Sequence, residues 1–217
     1  MSLDQELKRL IEVAQLNIDE HKREALIRYV ALIHKWNKVH NLTAIRDERL
    51  MLTLHIMDSL AVLPFLSEAN QVLDVGSGAG LPGIVIAICQ PTTFVTVIDS
   101  SQKKASFMRH VKSELGLMNL TVLSGRVEQL PRENKFDVII SRAFSDLLSF
   151  ISLTKNLCSE NGQWIAMKGV VPTQEIQALK ENLGMQPNKI QRLEVPDLDA
   201  ERHLLFFPSL VNAQGNV

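Results

Sequence analysis

The sequence predicts an α/β fold with a mostly parallel sheet, a late antiparallel hairpin and a helical extension ahead of the sheet. Three observations carry this. Residues up to about 66 place apolar side chains at helical spacing. From Gln71 the rhythm changes to short β-rich runs separated by helical stretches, a pattern that buries a parallel sheet between two helical layers. Near the end, NKIQRLEV and HLLFFPS read as two strands that pair at a sheet edge.

In chain order, Leu26, Val30, Ile33 and Trp36 mark one helix, with Lys22, Arg23, Arg28 and Lys35 on its other face. A second helix is expected from about Arg46 through LMLTLHIMDSLAVL to Pro64. The strands are QVLDVG, TFVTVID, LTVLSG, FDVIISR and QWIAMKG; the helices between them are LPGIVIAIC, QKKASFMRHVKSELG and FSDLLSFISLTKNLC. The expected division is a helical extension over 1–66 and a sheet domain over 67–217.

At 217 residues and 46% hydrophobic content, the chain buries a full core as one domain with an appendage. Its formal net charge of −1 argues against a broad grip on bare nucleic acid through many phosphates. Contact with RNA must come from a local basic patch or from a particle that presents the RNA. The N-terminus MSLDQELKRL lacks the basic-then-apolar order of a secretory signal, and no apolar run nears the roughly 20 residues that span a bilayer. Cys89 and Cys158 match no metal or redox spacing and read as buried thiols. The expected protein is cytoplasmic and monomeric, with no membrane, DNA or metal partner.

The chemistry centres on VLDVGSGAGLPGI, which places Gly76, Gly78 and Gly80 beyond the first strand, where ligands of such sheets lie. A phosphate-cradling loop read from Gly78 to Gly83 would need Lys where Ile84 stands. A dinucleotide fingerprint starting at Gly76 would need glycine at Leu81. Asp74, just ahead of the glycines, disfavours a pyrophosphate and suits a positively charged ligand such as S-adenosylmethionine, which carries a sulfonium and an ammonium. Asp99 closes the second strand, where a carboxylate accepts hydrogen bonds from ribose hydroxyls. The competing reading makes both acids helix caps. In SGRVEQL, Glu128 or a neighbouring amide can read an adenine edge, or simply start a solvated helix.

The fourth strand ends at Arg142, beside the expected position of the transferred group. The Asn/Asp-Pro-Pro-aromatic motif of amino-group methylases is missing there, as are the Pro-Cys and Thr-Cys pairs of pyrimidine-carbon methylases. Methylation at a ring nitrogen with a free lone pair, such as guanine N7, removes no proton and needs neither. Arg142 is then expected to face a phosphate, guanine O6 or the carboxylate of the cofactor. The HxxD pair His55–Asp58 has one-turn spacing but no third ligand in reach, and reads as a structural hydrogen-bonded pair. Trp36 is assigned to the core, and Asn37 and Asn41 to the helix end or the cleft.

WNKVHNLTAI, HIMDSL, DVGSGAGLPGI, DSSQKKASF, SGRVEQL, FDVIISRAF, MKG and ERHLL together resemble the bacterial glucose-inhibited division protein B family, from about Trp36 to Phe207. The resemblance implies a Rossmann-like class I methyltransferase sheet that uses S-adenosylmethionine. It also implies guanine N7, guanine 527, of 16S ribosomal RNA as acceptor, within the small subunit or an assembly intermediate. Carried over by position, it implies that Gly76, Leu81, Val127, Glu128 and Arg142 line the cofactor. It marks Asn41, Lys103 and Arg126 for RNA, and Lys168 and Arg202, with Arg142, for catalysis. Residues 1 to about 30 and the tail after Pro208 lie outside the pattern and are unassigned. Lys103, Lys104, Arg109, Lys112, Arg126, Arg142 and Lys168 together would form a basic rim around the cofactor mouth. Two other classes remain open: a nicotinamide-dependent oxidoreductase, and a non-catalytic RNA-binding module with a degenerate cofactor pocket.

Overall fold

The computed structural model describes residues 1–209; the end of the tail after Pro208, residues 210–217, lies outside them. Helices α1 (Leu3–Val13) and α2 (Glu20–His40) come first. Ser2 and Asp19 cap them, each accepting a backbone N–H from the first turn. The expected helix from Arg46 to Pro64 forms in pieces. It consists of α3 (Glu48–Met51), a π turn (Leu52–Met57), α4 (Asp58–Leu60) and a 3₁₀ turn (Leu63–Phe65). Pro64 removes a donor inside that last turn, and the helix stops there.

The sheet contains β1 (Gln71–Val75), β2 (Phe94–Asp99), β3 (Leu120–Ser124), β4 (Phe136–Ser141), β5 (Cys158–Lys168), β6 (Lys189–Arg192) and β7 (His203–Pro208). Their order is β3-β2-β1-β4-β5-β7-β6. The first five run parallel, and β7 pairs antiparallel with both β5 and β6, which is the expected hairpin. Helices α5 (Gly83–Cys89), α6 (Gln102–Leu115), α7 (Leu147–Thr154) and α8 (Thr173–Leu183) complete the chain. The sequence reading differs in two further places. FSDLLSFISLTKNLC ends its helix at Thr154, and Cys158 already belongs to β5; α8 was not anticipated.

Alternation along the strands sorts the core into two layers. Val72, Val97, Ile140, Ile165 and Leu204 pack with α1, α2, α5 and α6. Leu73, Ile98, Ile139, Trp164 and Leu205 pack with α7 and α8. The N-terminal helices therefore share one apolar cluster with the sheet: Leu7, Leu26, Ile33 and Ile56 belong to the same cluster as Val85 and Phe107. Trp36 is half-buried at its margin, its ring centroid 5.4 Å from that of Phe107 and 5.4 Å from that of His110.

Strand order reverses between β1 and β4. At such a point the loops leaving the carboxyl ends diverge and a crevice opens. The turn after β1, Arg142 after β4, Gly169 after β5 and His203 at the start of antiparallel β7 all reach this one edge.

Candidate active site

Three cavities follow one another along that edge. The first, about 420 Å³, is lined by Gly76, Asp99, Arg126, Val127, Glu128 and Phe144, among others. The second, about 350 Å³, shares Gly76 and Asp99 with it and adds Thr43, Gly78, Leu81, Lys104 and Arg142. The third, about 410 Å³, shares Arg142 with the second and is lined by Ile45, His55, Asp58, Lys168, Arg202 and His203, among others. Arg142 thus stands between the glycine turn and the third cavity.

The glycine turn has two sides. Gly76 and Gly78 take φ of +69° and +62°, and a Cβ on either would project into open space. Backbone there can lie directly against a ligand. Gly80 is buried, and a Cβ on it would sit 2.3 Å from Ile84 Cδ1. Behind the turn, the Tyr29 hydroxyl donates to Ala79 O at 2.6 Å.

Asp99 and Asp74 were both expected to face the ligand, but only Asp99 lines a cavity. Asp99 Oδ2 accepts from Gly78 N at 2.9 Å and Oδ1 from Ser101 N at 2.9 Å. This fixes the carboxylate in the wall shared by the first two cavities, with lone pairs left for hydroxyl donors. Asp74 is fully buried beneath the turn, where its Oδ2 accepts from Gly83 N at 2.9 Å. Burial pushes its carboxyl up to about 7, with the Gly83 N–H pulling the other way. Asp74 braces the turn from below, and Asp99 presents the carboxylate to the cavity.

Gly83 makes this brace possible. A Cβ there would lie 2.4 Å from Val97 Cγ1 and 2.9 Å from Asp74 Oδ2. Overpacking of this kind costs about 1–3 kcal/mol. Gly83→Ala is expected to lower the thermal midpoint and to weaken S-adenosylmethionine binding in calorimetry. Unchanged values in both would show that the turn tolerates the shift.

In the third cavity the charged side chains are paired. Arg142 Nη1 lies 3.4 Å from Asp58 Oδ2 and donates to Leu54 O at 3.3 Å. Arg202 Nε donates to Asp58 Oδ1 at 2.9 Å. Lys168 Nζ contacts both oxygens of Glu175 at 3.1 and 2.9 Å, and the same carboxylate accepts from Leu147 N at the start of α7. His203 Nδ1 donates to Gly169 O at 2.6 Å.

The expected His55–Asp58 hydrogen-bonded pair is replaced by separate partners. His55 Nδ1 donates to Leu54 O at 3.0 Å, and its Nε2 then accepts from the Thr43 hydroxyl at 2.9 Å. Burial first, then the charge of Arg142, lowers the imidazole to about 4, so it is neutral near pH 7. Thr43 and Ile45 are held in turn by Asn37, whose Oδ1 accepts from Thr43 N and whose Nδ2 donates to Ile45 O.

The remaining residues singled out in the sequence separate by position. Val127, Glu128 and Arg126 line the first cavity, with Arg126 and Glu128 3.7 Å apart. Asn41 is exposed at the left-handed end of α2, and its Oδ1 accepts from Arg46. Lys104 turns toward Asp99 at 3.7 Å, while Lys103 and Arg109 are exposed on α6. Sequence reasoning missed Glu175, Thr43 and Phe144, and saw Asp58 only as a partner of His55. Among the described residues, no group of three His, Cys, Asp or Glu side chains could hold a metal.

A cradle without a phosphate loop, joined across one arginine to the third cavity on a Rossmann-like sheet, fits the class of methyltransferases that take their methyl group from S-adenosylmethionine. The fold agrees with that class. A structure described as a SAM-dependent methyltransferase from Aquifex aeolicus aligns with TM-score 0.57 and 21% identity over 72% of this chain and 92% of that one. The chain belongs to the rRNA small subunit methyltransferase G family, whose model matches residues 22–205. A relative from Methylobacillus flagellatus named ribosomal RNA small subunit methyltransferase G is 52% identical over 207 residues, 95% of this chain and 98% of that protein. One of the same name from Laribacter hongkongensis is 46% identical over 205 residues, 94% of this chain and 98% of that protein.

Proposed function

We propose that this enzyme transfers the methyl group of S-adenosylmethionine to N7 of a guanine in 16S ribosomal RNA. Family resemblance points to guanine 527. The acceptor is presented by the small subunit or an assembly intermediate in the cytoplasm, and the enzyme acts as a monomer. The observation that carries this reading is the meeting of the cofactor cradle and the third cavity at Arg142. In this reading the third cavity takes the base.

The side chains there suit an acceptor that gives up no proton. His55 is neutral, and each of its ring nitrogens is engaged. Asp58 is taken by two arginines and Glu175 by Lys168. Burial pushes both cysteine thiols up to about 12, so neither supplies the thiolate that carbon methylation requires. When bound, S-adenosylmethionine supplies a methyl group activated by its sulfonium. Gly76, Gly78 and Asp99 hold the nucleoside side, while Arg142, Lys168 and Arg202 orient the nucleotide and its phosphate. Orientation and exclusion of water of this kind lower a barrier by roughly 7–11 kcal/mol.

Methylation at N7 leaves the base positively charged. The carboxylates of Asp58 and Glu175 offset two of the cavity's three cations, which lessens the repulsion that the cationic product meets. Exposed Lys103, Arg109, Arg126 and Asn41 meet flanking RNA; binding is expected to weaken as salt rises.

The test uses small subunits from cells that lack this enzyme, incubated with labelled S-adenosylmethionine. Borohydride reduction and aniline cleavage then map N7 methylation. Label and chain cleavage are expected at one guanine. Cofactor binding without label in RNA would leave a non-catalytic RNA-binding module, and preference for NADH in calorimetry would overturn the donor itself.

A further inference from the structure

Asp58 stands where the two halves of the site meet. It follows the π turn directly and opens α4. Its own N–H goes to Thr53 O and His55 O and bypasses Leu54 O. Leu54 O instead accepts from the His55 ring at 3.0 Å and from Arg142, outside the helix, at 3.3 Å. Single π turns inside helices recur at functional sites. The side chain of Asp58 is only 4% exposed, and its two oxygens meet arginines from different strand ends. Arg142 comes from the end of β4 and borders both the loop cavity and the third; Arg202 precedes β7 and borders the third cavity but not the loop cavity.

Resting on the methyltransferase reading above, we propose that Asp58 is a positioning residue for methyl transfer. One nearly sealed carboxylate sets the guanidinium on the cofactor side and the guanidinium on the acceptor side in a single frame. Asp58 itself does not touch the base. Both arginines are about a quarter exposed and have the rotamer freedom to drift when unpaired. The carboxylate removes that freedom before RNA arrives.

The test combines kinetics on small subunits with ¹⁵N spectra of the arginine Nε–H groups. Asp58→Asn is expected to lower kcat about 100-fold while KM for S-adenosylmethionine changes less than threefold. Asp58→Glu should recover part of the loss. Combining Asp58→Asn with Arg202→Met should cost clearly less than the product of the two single losses, because part of the carboxylate's effect runs through Arg202 and the rest through Arg142. A slowly exchanging Arg202 Nε–H signal should be present in the wild type, shifted in Asp58→Glu and lost in Asp58→Asn.

Wild-type turnover in Asp58→Asn, or losses that multiply in the double variant, would overturn the proposal. Should Asp58→Asn not fold, the Asp58→Glu kinetics and spectrum decide: an unchanged signal with unchanged kcat overturns it equally. If the wild type labels no RNA, the functional reading fails instead, and the Arg202 signal still reports whether Asp58 holds it.

Discussion

Arg142→Ala is expected to lower kcat for small-subunit RNA by on the order of 10²–10³-fold, the cost typical of removing a preorganised charged donor. The side chain borders both the glycine-turn cavity and the third cavity, so its loss uncouples them. Arg142→Lys should recover little. An ammonium supplies one point charge, whereas the guanidinium reaches Asp58 and Leu54 O and still offers donors to a ligand. Single-turnover assays with saturating S-adenosylmethionine separate this loss from weaker cofactor binding. Near wild-type turnover in Arg142→Ala would remove the residue from the mechanism.

The second large effect concerns stability. Asp74 rises from its ordinary 3.8 to about 7 on folding, chiefly through burial. Between those values the folded chain keeps a proton that the unfolded chain has released. Its contribution to stability therefore falls as pH rises through that window, by on the order of 4 kcal/mol in all. His55 acts in the opposite sense. Its fall from 6.5 to about 4 means that acidification protonates the unfolded chain first, so its contribution is lost as pH drops through that range. In the wild type the two partly cancel. Asp74→Asn keeps an acceptor for Gly83 N–H and carries no charge, so only the His55 slope remains. The stability difference between Asp74→Asn and wild type should grow in favour of the variant from pH 4 to about pH 7 and level off above it. Urea titrations across that range measure it, and parallel curves would show that Asp74 does not titrate there.

The fold was legible because strand alternation and helix spacing are local properties. Val72 and Leu73 face opposite ways by period alone, and they do enter opposite layers. The late hairpin was legible for the same reason. The π turn was not: a helical repeat read from LMLTLHIMDSL carries no mark of one extra residue, and only tertiary packing reveals it. The candidate site's cavity lining was legible where motif and strand end coincide, at Gly76, Asp99 and Arg142. It was not legible where partners come from distant segments. Asp58 and Arg202 are 144 residues apart, and Glu175 meets Leu147 across 28. Asp74 shows the opposite limit. Its place before the glycines suggested direct contact with a ligand, but strand alternation and the close approach of Gly83 turn the carboxyl inward.

The hydroxyl of Tyr29 on Ala79 O ties α2 to the back of the glycine turn. Whatever coupling this bond carries is mutual: steadying the turn protects α2 from hydrogen exchange by that coupling free energy, and fraying α2 loosens the turn by the same amount. Because this is the chain's sole tyrosine, its phenol vibration is a native reporter of that coupling, free of any attached label.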